Sequence, residues 1–278
     1  MTVFPARMID FHVHLFPDDF FDAIWGFFKR EYGMDVVHQM YARECIDYLR
    51  ARDVGSIVYS NYAHRKGTAG TLNDWNVKLL DSTEDVYCFA AFHPDDDDAL
   101  ERARDLLQHP KVLGFKLHFL VQPIRPDDER LHPLYELVAD TGRRLLLHIG
   151  TGPIGNDRVG MAFLRTILAH YPDLRANVAH LGAHEFDQAF TLLEEYPGVF
   201  LDTSFCFLPG SFRLYRLGPE LLEKHRHRLL YGSDFPNLLH HRREELSALA
   251  GMNLSREFYH RVFRENAEAL LRLHQSSL

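Results

Sequence analysis

Short apolar runs alternate with longer amphipathic segments from one end of the chain to the other. This alternation is typical of βα units around a parallel sheet, and it does not fit a β-sandwich or a helical bundle. The predicted strands are Arg7–His14, Ser56–Asn61, Val86–His93, Val112–His118, Arg144–Ile149, Arg175–His180, Val199–Ser204 and Arg228–Ser233. The helices predicted to alternate with them are His38–Arg52, Thr71–Asp81, Asp96–Gln108, Glu129–Thr141, Arg158–His170, Glu185–Glu195, Gly218–His225 and Arg242–Leu249.

Eight such units predict a single (β/α)8 TIM barrel, a fold that typically takes about 250 residues. The chain has 278 residues, and an extra C-terminal helix is predicted over Arg256–Arg272. Because no linker rich in Pro, Gly or Ser interrupts the pattern, residues 1–278 are expected to form one domain.

The segment Leu15–Val37, between the first strand and its helix, is far longer than an ordinary βα connection. Its aromatic residues are Phe16, Phe20, Phe21, Trp25, Phe27, Phe28 and Tyr32. We predict a long aromatic-rich loop on the catalytic face of the barrel, acting as a lid or pocket wall with Trp25 as a substrate contact. A satellite apolar cluster on the barrel rim or a homodimer contact is the alternative.

The charge balance narrows the class of partner. With 31 basic and 39 acidic residues the net charge is −8, and no long basic run is present, which argues against binding to nucleic acid or to an anionic membrane. The three cysteines, an odd number, have no ligand-like spacing, which indicates free thiols in a reducing compartment. No export signal and no membrane-spanning stretch are visible, so a cytoplasmic location is expected.

Imidazole and carboxylate groups recur at predicted strand ends. His12 and His14 are two residues apart at the end of the first strand, so both side chains point into the barrel mouth. The fifth and sixth strands end in His148 and His180, and the eighth ends before Asp234. Such groups converge at one face of a barrel, and a shared metal ion satisfies all of them. Asp234 alone could instead cap a helix, but histidine is a poor cap.

This order of residues resembles the amidohydrolase superfamily, and the full run resembles its amidohydrolase-2 family, in the branch that contains aminocarboxymuconate-semialdehyde decarboxylase. The motifs that carry the resemblance are Asn73-Asp-Trp-Asn76, Ala90-Ala-Phe-His-Pro94, Gly114-Phe-Lys-Leu-His118, His180-Leu-Gly182, Asp202-Thr-Ser204 and Asn266-Ala267.

The resemblance implies a ligand set and a division of roles. His12, His14, His148 and Asp234 would bind one divalent ion, with Zn²⁺ as the expected metal. Asp234 would also carry the proton, and His180 would stabilise developing negative charge or hold the attacking water.

Lys116 lies two residues before His118, so the two side chains share one face of the predicted strand. The sequence is compatible with two roles for Lys116. Carboxylated, it would bridge a second metal ion; as an ammonium, which we favour, it would pair with Asp234 or with a substrate carboxylate. His118 and Arg158 are further candidates for substrate binding, as are Arg213 and Arg216 in the loop after the seventh strand.

These expectations predict a metal-dependent hydrolase that cleaves a small amide, lactone or ester with metal-activated water. The alternative is a metal-dependent, non-oxidative decarboxylase or hydratase of an unsaturated or aromatic carboxylic acid, because the same residues can protonate a carbon. A binding protein with a vestigial site is a third hypothesis, which the complete ligand set opposes. In each case the expected partner is a small molecule, and a homodimer is left open.

Overall fold

Eight parallel strands form one sheet in which every strand pairs with the next along the chain. A computed structural model describes residues 3–33, 35–207 and 218–276. The strands are β1 (Met8–His14), β2 (Val54–Ser60), β3 (Val86–Ala91), β4 (Val112–His118), β5 (Arg144–His148), β6 (Arg175–Val178), β7 (Val199–Asp202) and β8 (Leu229–Leu230).

Backbone hydrogen bonds join the first strand to the segment that follows the last one. The Phe11 N–H donates to the Tyr231 carbonyl at 2.8 Å, and the His14 N–H donates to the Phe235 carbonyl at 2.7 Å. The sheet thus closes on itself, and the predicted single (β/α)8 TIM barrel is confirmed.

Helices alternate with the strands around the barrel. They are α1 (Asp18–Tyr32), α2 (Ala42–Arg50), α3 (Thr68–Asp81), α4 (Ala99–Leu106), α5 (His132–Asp140), α6 (Met161–His170), α7 (Phe186–Glu195), α8 (Pro219–His225), α9 (Arg242–Gly251), α10 (Arg256–His260) and α11 (Asn266–Ser276). The extra C-terminal helix is present as α10 and α11, joined by a π-helical turn over Arg261–Glu265. Within the described ranges, no helix is long and apolar enough to span a membrane.

The connection after β1 is long and aromatic, as predicted, but it is not a loop throughout. Fifteen of its residues form α1, a helix that was not predicted from the sequence. Two aspartates in the first turn and Lys29 and Arg30 in the last turn complement the helix dipole. Gly33, at φ 64°, ends the helix and donates its N–H to the Lys29 carbonyl. Phe21 on α1 is buried against Phe16, and the centroids of the two rings lie 5.7 Å apart. The helix therefore packs over the end of β1.

The barrel interior below the site is apolar. A buried cluster there includes Phe11, Val58, Phe89, Leu146 and Leu230, and leucines of α11 pack against it. The pairing of β1 with β2 shifts register between residues 10 and 13, which breaks strict alternation along β1. A rigid apolar floor therefore supports a polar mouth at the C-terminal ends of the strands.

Candidate active site and metal centre

Two histidines of β1 and one aspartate after β8 meet at the barrel mouth. His14 Nε2 lies 3.0 Å and His12 Nε2 lies 3.5 Å from the same Asp234 oxygen, Oδ1. One donor atom from each residue lies within 4.8 Å of the others. Asp234 has a φ of 61°, a left-handed conformation that costs energy for a residue with a side chain and is concentrated at functional sites. Two imidazole nitrogens and a carboxylate oxygen form a donor set that fits a divalent cation.

Asp202, at the end of β7, orients one of these histidines. Its Oδ2 accepts a hydrogen bond from His12 Nδ1 at 2.9 Å, which leaves His12 Nε2 facing Asp234. Burial lowers the pKa of His12 to about 4, so its ring is neutral near pH 7 and can ligate a metal. Burial opposes the charge on Asp202, but its contacts with His12 hold the pKa of this carboxyl well below its usual value. A carboxylate behind a ligating histidine is a common metal-site arrangement.

The role of Asp202 was not predicted from the sequence, although the residue was noted in the motif Asp202-Thr-Ser204. Its Oδ1 accepts hydrogen bonds from the backbone N–H groups of His180 and Ser204, both at 3.1 Å, and from the Ser204 hydroxyl. One buried carboxylate thus connects the ends of β1, β6 and β7. An aspartate at the end of a barrel strand was the available signal.

His148 and His180 face each other across the mouth. His180 Nε2 lies 3.1 Å from His148 Nδ1, while His148 Nε2 donates to the Gly152 carbonyl and His180 Nδ1 donates to the Ser204 carbonyl, both at 2.9 Å. Because carbonyl oxygens only accept, the facing nitrogens of two neutral rings would both present lone pairs. Such a pair favours a shared proton or a nearby cation. Because His148 is not one of the three residues whose donor atoms lie within 4.8 Å of one another, its ligand role stays a prediction. His180 itself has a strained backbone at φ 57°.

Lys116 lies inside this cluster and not at its rim. Its side chain is fully buried, and Nζ is 3.3 Å from His12 Nε2. Burial lowers the pKa of Lys116 to about 8, against the opposing influence of Asp234 and Asp202. Within the described part of the chain, Lys116 forms no ion pair with Asp234 within 4.0 Å, and its polar contact is with His12. A pairing with a substrate carboxylate and the choice between ammonium and carboxylated lysine stay predictions.

An aromatic wall stands beside the ligands. The His118 ring stacks on His148 with centroids 4.1 Å apart and planes 15° apart, and Tyr62 packs on His118 at 4.8 Å. Tyr62 also contacts the rings of His14 and Phe16, at 5.8 and 5.4 Å. His118 is therefore well placed for its predicted role, whereas Tyr62, which follows β2, was not singled out from the sequence. Aromatic rings beside a candidate metal site suit an aromatic ligand, although the Tyr62 ring is inclined by 57° to that of His118.

Two predicted substrate contacts lie elsewhere. Trp25 lies on α1 and packs between Phe21 of the same helix and Tyr41, which precedes α2, at 5.5 and 5.4 Å. The rings of Phe21 and Phe16 separate it from His14. Arg158 is exposed in the loop before α6. Neither has a contact with the ligand cluster among the described residues, so their substrate roles stay predictions.

Arg213 and Arg216 lie outside the described residues.

A family model that matches nearly the whole chain assigns the protein to a family. The family model described as "Amidohydrolase" matches residues 9–273, so the chain belongs to the amidohydrolase-2 family, as its motifs predicted, and it is an enzyme. No curated protein sequence is significantly similar to it.

Several solved structures share the fold at low sequence identity. An amidohydrolase II is 19% identical over 95% of this chain and 99% of that one, with a TM-score of 0.72. The 5-carboxyvanillate decarboxylase of Novosphingobium aromaticivorans, solved with manganese and 4-hydroxy-3-methoxy-5-nitrobenzoic acid, is 15% identical over 96% of both chains, with a TM-score of 0.70. The dihydroxybenzoic acid decarboxylase of Polaromonas, solved with manganese and 2-nitroresorcinol, is 15% identical over 99% of both chains, also at 0.70.

Proposed function

We propose that the chain is a metal-dependent, non-oxidative decarboxylase of a small aromatic carboxylic acid. The observation that carries the proposal is the aromatic wall of His118 and Tyr62 directly against the histidine and aspartate cluster. The two fold relatives named as decarboxylases of aromatic acids support the same choice. The hydrolase predicted from the sequence uses the same residues, but no comparable observation favours it.

The ligands in this proposal are His12, His14, His148 and Asp234. When bound there, a divalent cation would hold the oxygen atoms of the substrate and withdraw electron density from them. Zn²⁺ remains the expectation from the donor set, and the manganese in both decarboxylase relatives makes Mn²⁺ the other candidate.

The protein side chains would orient the substrate and move one proton. The packed rings of Tyr62 and His118 would contact one side of the aromatic substrate, and the Lys116 ammonium would attract its carboxylate or a neighbouring phenolate oxygen. Asp234 would deliver a proton to the ring carbon that bears the carboxylate, with His180 stabilising the negative charge beside it. Asp234 would first take this proton from solvent. As the carbon–hydrogen bond forms, the carbon–carbon bond would break, CO₂ would leave, and Asp234 would return to the carboxylate.

The test is a substrate panel on protein loaded with Mn²⁺ or Zn²⁺. Dihydroxybenzoates and 5-carboxyvanillate form one arm, and lactones, amides and esters form the other. We expect CO₂ release from the first arm, with one deuterium at the vacated ring carbon when the reaction runs in D₂O. Hydrolysis in the second arm without CO₂ release in the first would replace this proposal with the hydrolase.

We predict close to one tightly bound divalent ion per chain, because the site offers one compact donor set. Elemental analysis of the purified protein measures the ion, and dialysis against a chelator should remove it together with activity. Readdition of Mn²⁺ or Zn²⁺ to the dialysed protein is the control for irreversible damage. Two ions per chain, with a carboxylated Lys116, would contradict the single-metal site, and absence of metal under all loading conditions would contradict the metal centre itself.

We further propose that residues 1–278 act as one domain in the cytoplasm. The three cysteines, Cys45, Cys88 and Cys206, are free and buried, which supports a reducing compartment. Cell fractionation tests the location.

A further inference from the structure

A second set of buried charged side chains lies behind the metal-binding residues. Arg242 and Glu245, on the first turns of α9, are 1% and 0% exposed, and Asp10 on β1 is 0% exposed. None of them belongs to the compact donor set that the metal would use. Burying charged groups is costly unless close partners compensate, so their contacts indicate why they are there.

Asp10 connects the two segments that carry the ligands. Its Oδ1 accepts a hydrogen bond from the Ser233 N–H at 3.0 Å, and its Oδ2 accepts one from the Ser233 hydroxyl at 2.7 Å. Ser233 directly precedes Asp234, and Asp10 lies two residues before His12. The Asp234 N–H also donates to the His12 carbonyl at 2.8 Å. A single carboxylate therefore fixes the turn after β8 against β1.

Arg242 contacts both of the segments that Asp10 connects, β1 and the turn after β8. Its Nε lies 3.7 Å from Asp10 Oδ2, and its guanidinium carbon is 5.5 Å from the centroid of the Tyr231 ring. Tyr231 is the first residue after β8, so the guanidinium contacts β1 through Asp10 and the segment before Asp234 through Tyr231. Glu245 lies on the same helix, yet its carboxylate oxygens have no hydrogen-bond partner among the described residues. Arg242 Nε and Nη2 also make no hydrogen bond there, so the contact of Arg242 with Asp10 is a buried ion pair and not a hydrogen bond.

We propose that Arg242, acting through Asp10 and Ser233, is a positioning residue that places Asp234 against His12 and His14. The inference rests on the proposed metal centre and adds to it the residue that sets its geometry. Asp234 needs such support because its left-handed backbone persists only where surrounding contacts determine it. Metal ligands must also be held to within about 0.5 Å, so a small shift of this turn changes affinity.

The test compares Arg242→Met and Arg242→Lys with a matched control, Arg143→Met. Arg143 is another buried arginine, which precedes β5 and donates to the Leu107 carbonyl at 2.9 Å, away from the ligands. The readouts are the Kd for Mn²⁺ by calorimetry, the visible spectrum of the Co²⁺-loaded protein and the Tm. We expect Arg242→Met to raise the Kd about tenfold or more and to change the spectrum, with partial rescue in Arg242→Lys. Arg143→Met should lower the Tm at an unchanged Kd.

A wild-type Kd and spectrum in Arg242→Met would overturn the inference while leaving the proposed function intact. An equal loss of affinity in Arg143→Met would overturn it too, since it would show a general effect of instability. If Arg242→Met does not fold, Ser233→Ala decides by the same Kd measurement, because it removes the hydroxyl that donates to Asp10 Oδ2 and accepts from the Phe235 N–H.

Failure of the wild-type protein to bind any divalent ion would refute the metal centre separately. In that case, hydrogen exchange at the Asp234 amide of the metal-free protein tests the positioning role of Arg242. Faster exchange in Arg242→Met than in Arg143→Met supports the role, and equal rates overturn it.

Discussion

Replacing Asp234 by Asn is expected to lower turnover by roughly 10²–10⁴, the usual contribution of general acid–base catalysis. The amide keeps the size of the carboxylate and one oxygen beside His14 and His12, but it cannot carry the proton to the ring carbon. Steady-state kinetics on the best aromatic acid of the panel measure the change. The matched control is Asp187→Asn, an exposed aspartate on α7, which should keep full activity.

The variant His180→Asn distinguishes the proposed role of His180, which is to stabilise charge, from that of Asp234, which carries the proton. We place His180 beside the ligands, because its Nδ1 donates to the Ser204 carbonyl and its Nε2 faces His148. This variant should slow the reaction while keeping nearly all of its metal. Bound metal and turnover are therefore measured in both variants. If Asp234→Asn stays active with full metal while His180→Asn loses its metal, the roles of ligand and helper are reversed.

The barrel and most of its site could be predicted because both follow from local rules. Alternation of βα units determines the order of the strands, and the C-terminal ends of parallel strands share one face of a barrel. A histidine at such an end, as in His148, is therefore expected at the site, and its presence there makes a site role for Asp234 more plausible than a helix cap. The wall formed by His118 is predictable for the same reason, since it shares a strand face with Lys116.

The features that escaped prediction depend on contacts distant in sequence. Asp202 contacts His12 across 190 residues, and an aspartate after a strand is equally typical of a helix cap. Asp10 belongs to the same motif as His12 and His14, yet the register shift in β1 and the contact with Arg242 give it a different role.

Helix α1 had local signals that could have revealed it. Acidic residues in its first turn, basic residues in its last turn and Gly33 after its end together mark a helix. The length and the aromatic residues of the segment favoured a loop instead.

Asp202→Asn is expected to weaken metal binding by roughly 10–100-fold, because the mutation changes which nitrogen of His12 bears hydrogen. In the native protein the carboxylate accepts from His12 Nδ1, so Nε2 is left with a lone pair for the metal. The Asn oxygen would stay with the N–H donors of His180 and Ser204, which places the amide NH₂ group opposite His12 Nδ1. His12 Nδ1 must then accept, the ring hydrogen moves to Nε2, and the nitrogen that faces Asp234 is blocked.

Ser204→Ala is the matched control for this tautomer argument. The Ser204 hydroxyl lies 3.0 Å from His12 Nδ1, so its removal deletes a neighbouring polar contact while the carboxylate that sets the tautomer remains. Calorimetric titration with Mn²⁺ gives the Kd of each variant, and circular dichroism gives the Tm. We expect Asp202→Asn to lose affinity well beyond Ser204→Ala at a comparable Tm, because only Asp202→Asn replaces the carboxylate acceptor that keeps the ring hydrogen on His12 Nδ1. Wild-type affinity in Asp202→Asn would show that His12 does not depend on this carboxylate for its orientation or its tautomer.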